Sequence, residues 1–298
     1  MHVFVTGASG WIGSATVDEL LGAGHNVTGL ARSDEAATAL EAKGATVLRG
    51  DLDDLDSLRA GSEAADAVIH LANKHDWSNP AESNRAERAA VQTIGDVLVG
   101  SDRPFLFASG VAGLVADRPS TEDDLVPWSG PDAPRGGAEN LAMEFIDQGV
   151  RSISLRFAPT VHGHGDHGFI AVVVAAARQH GASAYVGDGS TGWAAVHRSD
   201  AARMVRLGLE NAPAGARLHA VGEGSVSNKA IAEAIGRGLG LPTVSVSAED
   251  AVDQFGFVGR FFALDLASSS LITQELLDWT PTGPTLLDDI AGGAYFTV

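Results

Sequence analysis

The feature that most constrains the fold is a glycine-rich segment directly after the first apolar run of the chain. Residues 3–6 have the composition of a short buried strand, and residues 11–21 have helical apolar spacing. The segment that joins this strand to this helix, together with the first residues of the helix, reads Thr6, Gly7, Ala8, Ser9, Gly10, Trp11, Ile12, Gly13. The first glycine permits a tight turn, the second lets a phosphate approach the backbone, and the third lets the helix pack closely on the strand. The free N–H groups of a helix N-terminus attract anions. The spacing therefore predicts a dinucleotide site, with an ordinary glycine-rich turn as the alternative.

Short apolar runs alternate with helical ones along most of the chain. We predict strands at 3–6, 25–30, 45–48, 67–71, 105–108, 152–157 and 218–221. We predict helices at 11–21, 34–42, 80–99, 136–147, 169–180, 199–209 and 228–239, and a polar loop at 116–134. Apolar strands without alternation indicate a parallel sheet covered on both faces, and right-handed crossovers make it doubly wound. The expected fold is an α/β Rossmann sheet with a smaller, interleaved C-terminal substrate-binding region. We expect residues 1–160 to form the dinucleotide-binding core and 161–298 the substrate-binding region, with 199–221 returning to the core.

The charge balance of the chain argues against several classes of partner. Lys plus Arg is 20 against 38 for Asp plus Glu, which gives a formal charge of −18, and only three of the basic residues are lysines. Such a chain repels nucleic acid and anionic membrane surfaces, so neither is expected as a partner. With no cysteine, disulfides and thiolate chemistry are excluded, which fits a cytoplasmic location. The N-terminus does not resemble a signal peptide, and no apolar run is long enough to span a membrane.

The end of the second predicted strand carries the residues expected to bind the adenosine ribose. Arg32 and Ser33 stand there instead of an acid, which favours the 2′-phosphate of NADP(H) over the free hydroxyl of NAD(H). The alternative for Arg32 is a solvated surface side chain. Asp51 and Leu52 follow the third strand and could flank the adenine, although Asp51 could equally cap the next helix.

These segments resemble the short-chain dehydrogenase/reductase superfamily, in its extended and atypical, epimerase/dehydratase-like branch. The resemblance rests on the glycine spacing and on residues 68–72, 107–110, 156–163 and 193–202. It implies that Leu71, Ala72 and Asn73 run under the cofactor and that Ser109 faces the nicotinamide. It also implies that Pro159, Thr160, Val161 and His162 contact the carboxamide end. The alternative for Ser109 is a strand-end hydroxyl bonded to its own backbone.

The catalytic Tyr/Lys pair of that superfamily, spaced four residues apart on a helix, is absent. The two tyrosines are Tyr185 and Tyr295, and neither has a lysine four residues on. Arg135 falls at the tyrosine position and Glu139 at the lysine position. Because Arg135 stays protonated, it could stabilise an oxyanion but not donate a proton. The alternative is an Arg135–Glu139 ion pair on a solvated helix face.

Histidines cluster after the sixth predicted strand. His162, His164 and His167 lie close to Asp166, but the spacing matches no known zinc motif, and we expect no metal. His162 is a candidate proton donor in place of the missing tyrosine, since imidazole titrates near neutral pH. Trp77, Trp128 and Trp193 could line an apolar substrate cavity or belong to the core.

The leading functional hypothesis is an NADP(H)-dependent oxidoreductase that reduces a ketone or aldehyde of a small neutral substrate. The candidate catalytic residues are Ser109, Arg135 and His162. The alternatives are a non-catalytic NADP(H)-binding sensor, suggested by the missing Tyr/Lys pair, and a nucleotide-sugar epimerase or dehydratase. A homodimer is possible by analogy with the resembling proteins.

Overall fold

The computed structural model describes residues 1–76 and 78–296, so Trp77 lies outside the described residues. The strands are β1 (His2–Thr6), β2 (Asn26–Ala31), β3 (Thr46–Arg49), β4 (Ala67–His70), β5 (Pro104–Gly110), β6 (Arg151–Phe157), β7 (Thr160–His162), β8 (Ser183–Val186), β9 (Gly192–His197), β10 (Arg217–Ala220), β11 (Glu223–Ser227) and β12 (Thr243–Val246). The helices are α1 (Trp11–Gly22), α2 (Asp34–Ala42), α3 (Leu55–Ala64), α4 (Pro80–Leu98), α5 (Ala138–Glu144), α6 (Phe169–His180), α7 (Arg198–Asn211), α8 (Asn228–Leu239), α9 (Ala251–Phe255), α10 (Gly259–Phe262), α11 (Leu271–Leu277) and α12 (Leu286–Ala291). Short 3₁₀ turns cover Pro134–Gly137, Phe145–Gln148 and Gly256–Val258.

The chain divides into two compact units, each made of several segments. The first contains Met1–Ser109, Leu125–Arg156 and Ala202–Leu218. The second contains Gly110–Asp124, Phe157–Ala201 and His219–Val298.

The first unit is built on a seven-stranded sheet with the order β10-β6-β5-β4-β1-β2-β3. Neighbouring strands from β3 to β5 pair in parallel, which confirms the predicted Rossmann fold. In such sheets ligands bind beyond the carboxyl ends of the strands, where the strand order reverses. Here that point lies between β1 and β4, directly at the glycine-rich segment.

The core of the first unit explains one helix that the sequence pattern did not predict. Helix α3 buries Leu58 together with Ser57, Gly61 and Ser62. Small and polar residues on the buried face remove the apolar periodicity on which the prediction depends. A Cβ at Gly61 would lie 2.4 Å from the Phe4 ring, so the glycine allows the helix to approach the sheet.

The second unit contains two small sheets and its own apolar core. Strand β9 pairs in parallel with β7 and antiparallel with β11, and β8 pairs in parallel with β12. Trp193 is fully buried in this core, and its indole N–H donates to the carbonyl of Phe261 at 3.2 Å. Trp193 is therefore core rather than a cavity wall. Sequence patterning missed the three-residue strand β7. It also missed β8 and β9, in which small residues replace half of the branched apolar residues that mark a strand. Across the described part of the chain, no helix is long and apolar enough to cross a membrane.

Candidate functional site

The glycine-rich segment forms the tight turn that its spacing predicts. Gly7 has φ +67°, and a Cβ on it would lie 2.7 Å from the backbone nitrogen of Ala72. The N–H of Gly10 donates to the Gly7 carbonyl at 2.9 Å. A Cβ on Gly13 would lie only 2.0 Å from that same carbonyl oxygen. The turn, the end of β4 and the start of α1 therefore meet where any side chain would obstruct them.

The N-terminus of α1 is open to an anion. Its N-cap is Gly10, which has no side-chain cap, and no acidic residue stands in the first turn. Ser9 and Gly10 are exposed. Uncapped N–H groups and the positive end of the helix dipole provide the chemistry that a pyrophosphate requires. The residues present, including Trp11 and Ile12 in the first turn, therefore fit the dinucleotide that the sequence predicts.

A buried polar group joins β1 to the end of β4. The Thr6 hydroxyl accepts from the backbone N–H of Ala72 at 3.3 Å and lies 2.8 Å from Nδ1 of His70. His70 is completely buried, and this burial lowers its pKa, so the imidazole is held neutral. The structure thus brings Leu71 and Ala72 to the glycine turn, as the resemblance implies. Their contact with a cofactor stays a prediction.

The predicted ribose site at the end of β2 contains one arginine more than expected. Arg32 is exposed and makes no hydrogen bond or ion pair within residues 1–76 and 78–296. The Ser33 hydroxyl caps α2 by accepting from Ala36 N–H at 3.2 Å. Arg49, at the end of β3, donates to the Ser33 carbonyl at 2.6 Å and to Asp34 at 2.9 Å. Sequence reasoning did not single out Arg49, since only strand pairing brings it beside β2.

The predicted adenine site shows local contacts of its own. Oδ1 of Asp51 accepts from the N–H groups of Asp53 and Asp54 at 2.9 and 3.1 Å. The carboxylate thereby orders the turn before α3. The N-cap of that helix is Asp54, whose side chain accepts from the N–H of Ser57, so the alternative that Asp51 caps the helix is wrong. Leu52 packs in the core of the first unit. A role for either residue toward adenine stays a prediction.

Ser109 lies near the end of β5 with its side chain half-buried. Within the described chain its hydroxyl makes no hydrogen bond, so the alternative of a bond to its own backbone is not formed. The hydroxyl is available to a substrate oxygen.

Arg135 and Glu139 do not pair with each other, so the expected surface ion pair is wrong. Arg135 donates to Glu87 at 2.6 Å. Glu139 instead binds the guanidinium of Arg156 at 2.6 Å, and that arginine is fully buried on β6. The pair is not formed because residues 134–137 are not part of a regular helix. Arg135, Gly136 and Gly137 all have positive φ, which turns the arginine toward α4.

In the second unit, His162 is enclosed instead of facing solvent. Its Nδ1 lies 2.6 Å from Asp289 and its Nε2 lies 3.8 Å from Glu223. The ring packs edge-on against His197 with centroids 5.6 Å apart. His162 follows Pro159, Thr160 and Val161, and β7 places it beside His197 of β9. Sequence reasoning missed Asp289, which lies 127 residues away.

Three residues of the histidine loop, His164, Gly165 and Asp166, border a cavity of about 520 Å³. His164 and His167 are exposed. Tyr295 donates its hydroxyl to Asp166 at 2.7 Å. Burial raises the pKa of Asp166, and burial together with the Asp166 charge raises the pKa of Tyr295. The described residues form no group of His, Asp or Glu arranged to hold a metal ion.

The family of the chain follows from a match to its N-terminal three-quarters. Residues 3–221 match the NAD dependent epimerase/dehydratase family. The chain belongs to that family. The matched range contains the glycine turn, the end of β4 and Ser109, and the protein is an NAD(P)-dependent enzyme of the epimerase, dehydratase and reductase type.

Several known proteins are similar over most or part of their length. An uncharacterized protein of Schizosaccharomyces pombe is 45% identical over 297 residues, covering 99% of this chain and 100% of the yeast protein. An uncharacterized protein of Saccharomyces cerevisiae is 40% identical over 292 residues, covering 97% and 98% of the two chains. A quinoline-oxide ketoreductase of Stigmatella aurantiaca is 28% identical over 188 residues, covering 60% of this chain and 55% of the ketoreductase.

The solved structures share the fold across the whole chain. The dTDP-glucose 4,6-dehydratase DesIV of Streptomyces venezuelae, crystallised with NAD, superposes with a TM-score of 0.76 at 21% identity. The match covers 99% of this chain and 96% of the dehydratase. At this identity the likeness establishes the fold alone.

Proposed function

We propose that the protein is an NADP(H)-dependent oxidoreductase that reduces the carbonyl of a small neutral ketone or aldehyde. The main support for a bound dinucleotide is the uncapped N-terminus of α1, which lies at a glycine turn with no room for side chains. A ketoreductase among the relatives favours reduction over sugar-nucleotide chemistry. Beyond residue 221 the basic residues are only Lys229, Arg237 and Arg260, which favours an uncharged substrate over a diphosphate.

The choice of NADP(H) over NAD(H) rests on the charges at the end of β2. Arg49 is paired with Asp34, so the negative charge of that carboxylate is balanced. Arg32 remains without a partner in the described chain and can pair with a 2′-phosphate. Ser33 would add a hydroxyl to the same group.

In the proposed reaction each side chain has a separate task. The bound cofactor supplies the hydride. The Ser109 hydroxyl donates to the substrate carbonyl oxygen, and the Arg135 guanidinium stabilises the negative charge that develops on that oxygen. For the proton, the candidates are His162 and solvent, and the complete burial of the His162 ring favours solvent.

Turnover with a panel of ketones and aldehydes tests the proposal. Oxidation of NADPH, followed by its near-ultraviolet absorbance, is the expected result. Ser109→Ala should lower kcat by about 10²-fold, as for other oxyanion donors. His162→Gln separates the two proton sources, because only a direct donor would make kcat and its pH profile change. Unchanged turnover in both variants would mean that these site assignments are wrong.

The cofactor preference has its own test. Arg32→Ala should reduce the NADPH-over-NADH ratio of kcat/KM by about 10- to 100-fold, equivalent to one charge-assisted hydrogen bond. The matched control is Arg59→Ala, since Arg59 is an exposed arginine on α3 of the same unit. Equal ratios in both variants would refute the ribose-phosphate assignment.

A second candidate is a non-catalytic NADP(H) sensor, which the missing Tyr/Lys pair favours. Calorimetric titration with NADPH beside the activity assay distinguishes the two: a sensor binds the cofactor and turns over no carbonyl. A nucleotide-sugar epimerase or dehydratase remains compatible with the family, and incubation with UDP- and dTDP-sugars tests it.

A further inference from the structure

The turn that carries Arg135 is held in an unfavourable backbone conformation. Arg135 has φ +55° and ψ +25°, inside the left-handed region that side chains other than glycine rarely adopt. The next two glycines continue in the same region, and a Cβ on Gly136 would lie 2.4 Å from the Asn84 carbonyl of α4. Such a conformation persists only where the surrounding contacts fix it, and it is common at functional sites.

One carboxylate fixes the side chain of that turn. Oε1 of Glu87 accepts from Nη2 of Arg135 at 2.6 Å. Its other oxygen, Oε2, accepts from Nδ2 of Asn73 at 3.0 Å. The Glu87 side chain is 1% exposed, whereas that of Arg135 is 37% exposed. Arg88 of α4 donates a hydrogen bond to the Gly136 carbonyl at 2.9 Å, which holds the backbone of the turn against α4.

This arrangement leaves part of the guanidinium free. Within the described residues, Nε and Nη1 of Arg135 make no hydrogen bond. An arginine side chain loses rotamer entropy when it is fixed. Because Glu87 already fixes the guanidinium, an oxyanion that binds its free edge does not have to order it. Preorganised donors of this kind contribute most to transition-state stabilisation.

We infer that Glu87 is the positioning residue for Arg135, and that it couples Arg135 to the Asn73 segment at the end of β4. The inference rests on the proposed function, in which Arg135 stabilises the charge on the substrate oxygen. Because its side chain is only 1% exposed, Glu87 acts through the two side chains that it holds.

The primary test is a double-mutant cycle on kcat. Glu87→Gln keeps the volume but presents an NH₂ group to one of two donors, so we expect kcat to fall by about 10-fold or more. The NADPH dissociation constant should rise by a smaller factor than that by which kcat falls, since Glu87 holds the Asn73 side chain by a single hydrogen bond; equal losses in both would indicate a structural defect. In Glu87→Gln/Arg135→Ala, kcat should equal that of Arg135→Ala alone, because Glu87 acts through the arginine. Additive losses, or an unchanged kcat in Glu87→Gln, overturn the inference.

The matched control is Glu210→Gln. Glu210 also pairs with an arginine, Arg206, at 2.7 Å in the same unit, so the control reports the loss of an arginine–carboxylate pair elsewhere. Its kcat should match that of the wild type.

A measurement without turnover separates failure of this inference from failure of the proposed function. Glu87 accepts from Nη2 of Arg135, so the Nη2 protons, identified by their loss in Arg135→Ala, should exchange slowly with solvent in the wild type and faster in Glu87→Gln. If no carbonyl is reduced but the exchange accelerates, the proposed function fails and the positioning role stands. Unchanged exchange refutes the role. If Glu87→Gln does not fold, Glu87→Asp replaces it, because its shorter carboxylate cannot hold both donors at these distances.

Discussion

Replacing Gly13 with alanine should test the geometry of the glycine turn most directly. A Cβ at this position would lie 2.0 Å from the Gly7 carbonyl oxygen and 2.8 Å from its carbonyl carbon. Side-chain Cβ atoms essentially never approach closer than 3.0 Å, so the helix and the turn must separate by about 1 Å. Both partners are backbone, and neither can rotate away.

The expected cost follows from this contact. Overpacking of a well-packed interior costs about 1–3 kcal/mol, and we expect the upper end because only backbone movement relieves the clash. The same movement displaces the first N–H groups of α1 from the turn. Loss of one charge-assisted hydrogen bond weakens NADPH binding by about 10-fold or more.

Urea unfolding followed by tryptophan fluorescence gives the free energy of unfolding, and calorimetric titration gives the NADPH dissociation constant. The matched control is Gly22→Ala at the other end of α1, where a Cβ meets nothing within 4 Å. Alanine there should be neutral or stabilise by up to about 1 kcal/mol. If the free energy of unfolding of Gly13→Ala lies within about 0.5 kcal/mol of the wild-type value, the close packing of turn and helix is refuted.

Three further predictions follow from the first unit. Gly10→Ala should weaken NADPH binding, measured by titration, because the new methyl group would stand where the pyrophosphate approaches. Stability should change little, because the nearest atom to a Cβ there is 3.1 Å away. An NADPH affinity equal to that of the wild type would contradict the approach of the pyrophosphate. Glu139→Gln should lower the free energy of unfolding by about 3–5 kcal/mol, because it removes the charge paired with the buried Arg156; the exposed Glu144→Gln on the same helix should stay within about 0.5 kcal/mol. Burial lowers the pKa of His70, so on acidification the unfolded chain binds a proton at this imidazole before the native chain does. The free energy of unfolding should therefore fall below about pH 6.5, by up to about 1.4 kcal/mol per pH unit, until the native imidazole is protonated. His70→Asn should flatten this limb in urea unfolding measured across pH, and an unaltered slope would contradict the assignment.

The sequence predicts most elements of the first unit because their signals are local. Helix α2 of the first unit matches the predicted bounds at both ends, as does α6 of the second unit, since apolar periodicity and a serine or glycine N-cap mark each helix within a few residues. Helix α3 was missed because small polar residues replace the apolar stripe on its buried face. Strands β8 and β9 of the second unit were missed because small residues occupy half of each strand in place of branched apolar ones.

The candidate site likewise contains features that the sequence predicts and features that it does not. The positions of Gly7, Gly10 and Gly13 follow from their spacing, since each glycine lies where a side chain would clash within a single turn. The environment of Arg135 does not, because its partner Glu87 lies 48 residues away on α4. On the sequence, Glu87 is one more acidic residue on a helix, and nothing marks it as buried.

By itself, the sequence determined the Rossmann sheet, the dinucleotide turn and the loss of the Tyr/Lys pair. These depend on residue type and on spacings of a few residues, which sterics and hydrogen bonding translate directly into backbone shape. Only the tertiary structure decided which charges meet: Arg135 with Glu87, Glu139 with Arg156, and His162 with Asp289. Such pairs are selected by burial, where an ion without a partner is costly. Burial is a property of the packed chain, because it depends on how distant segments cover one another.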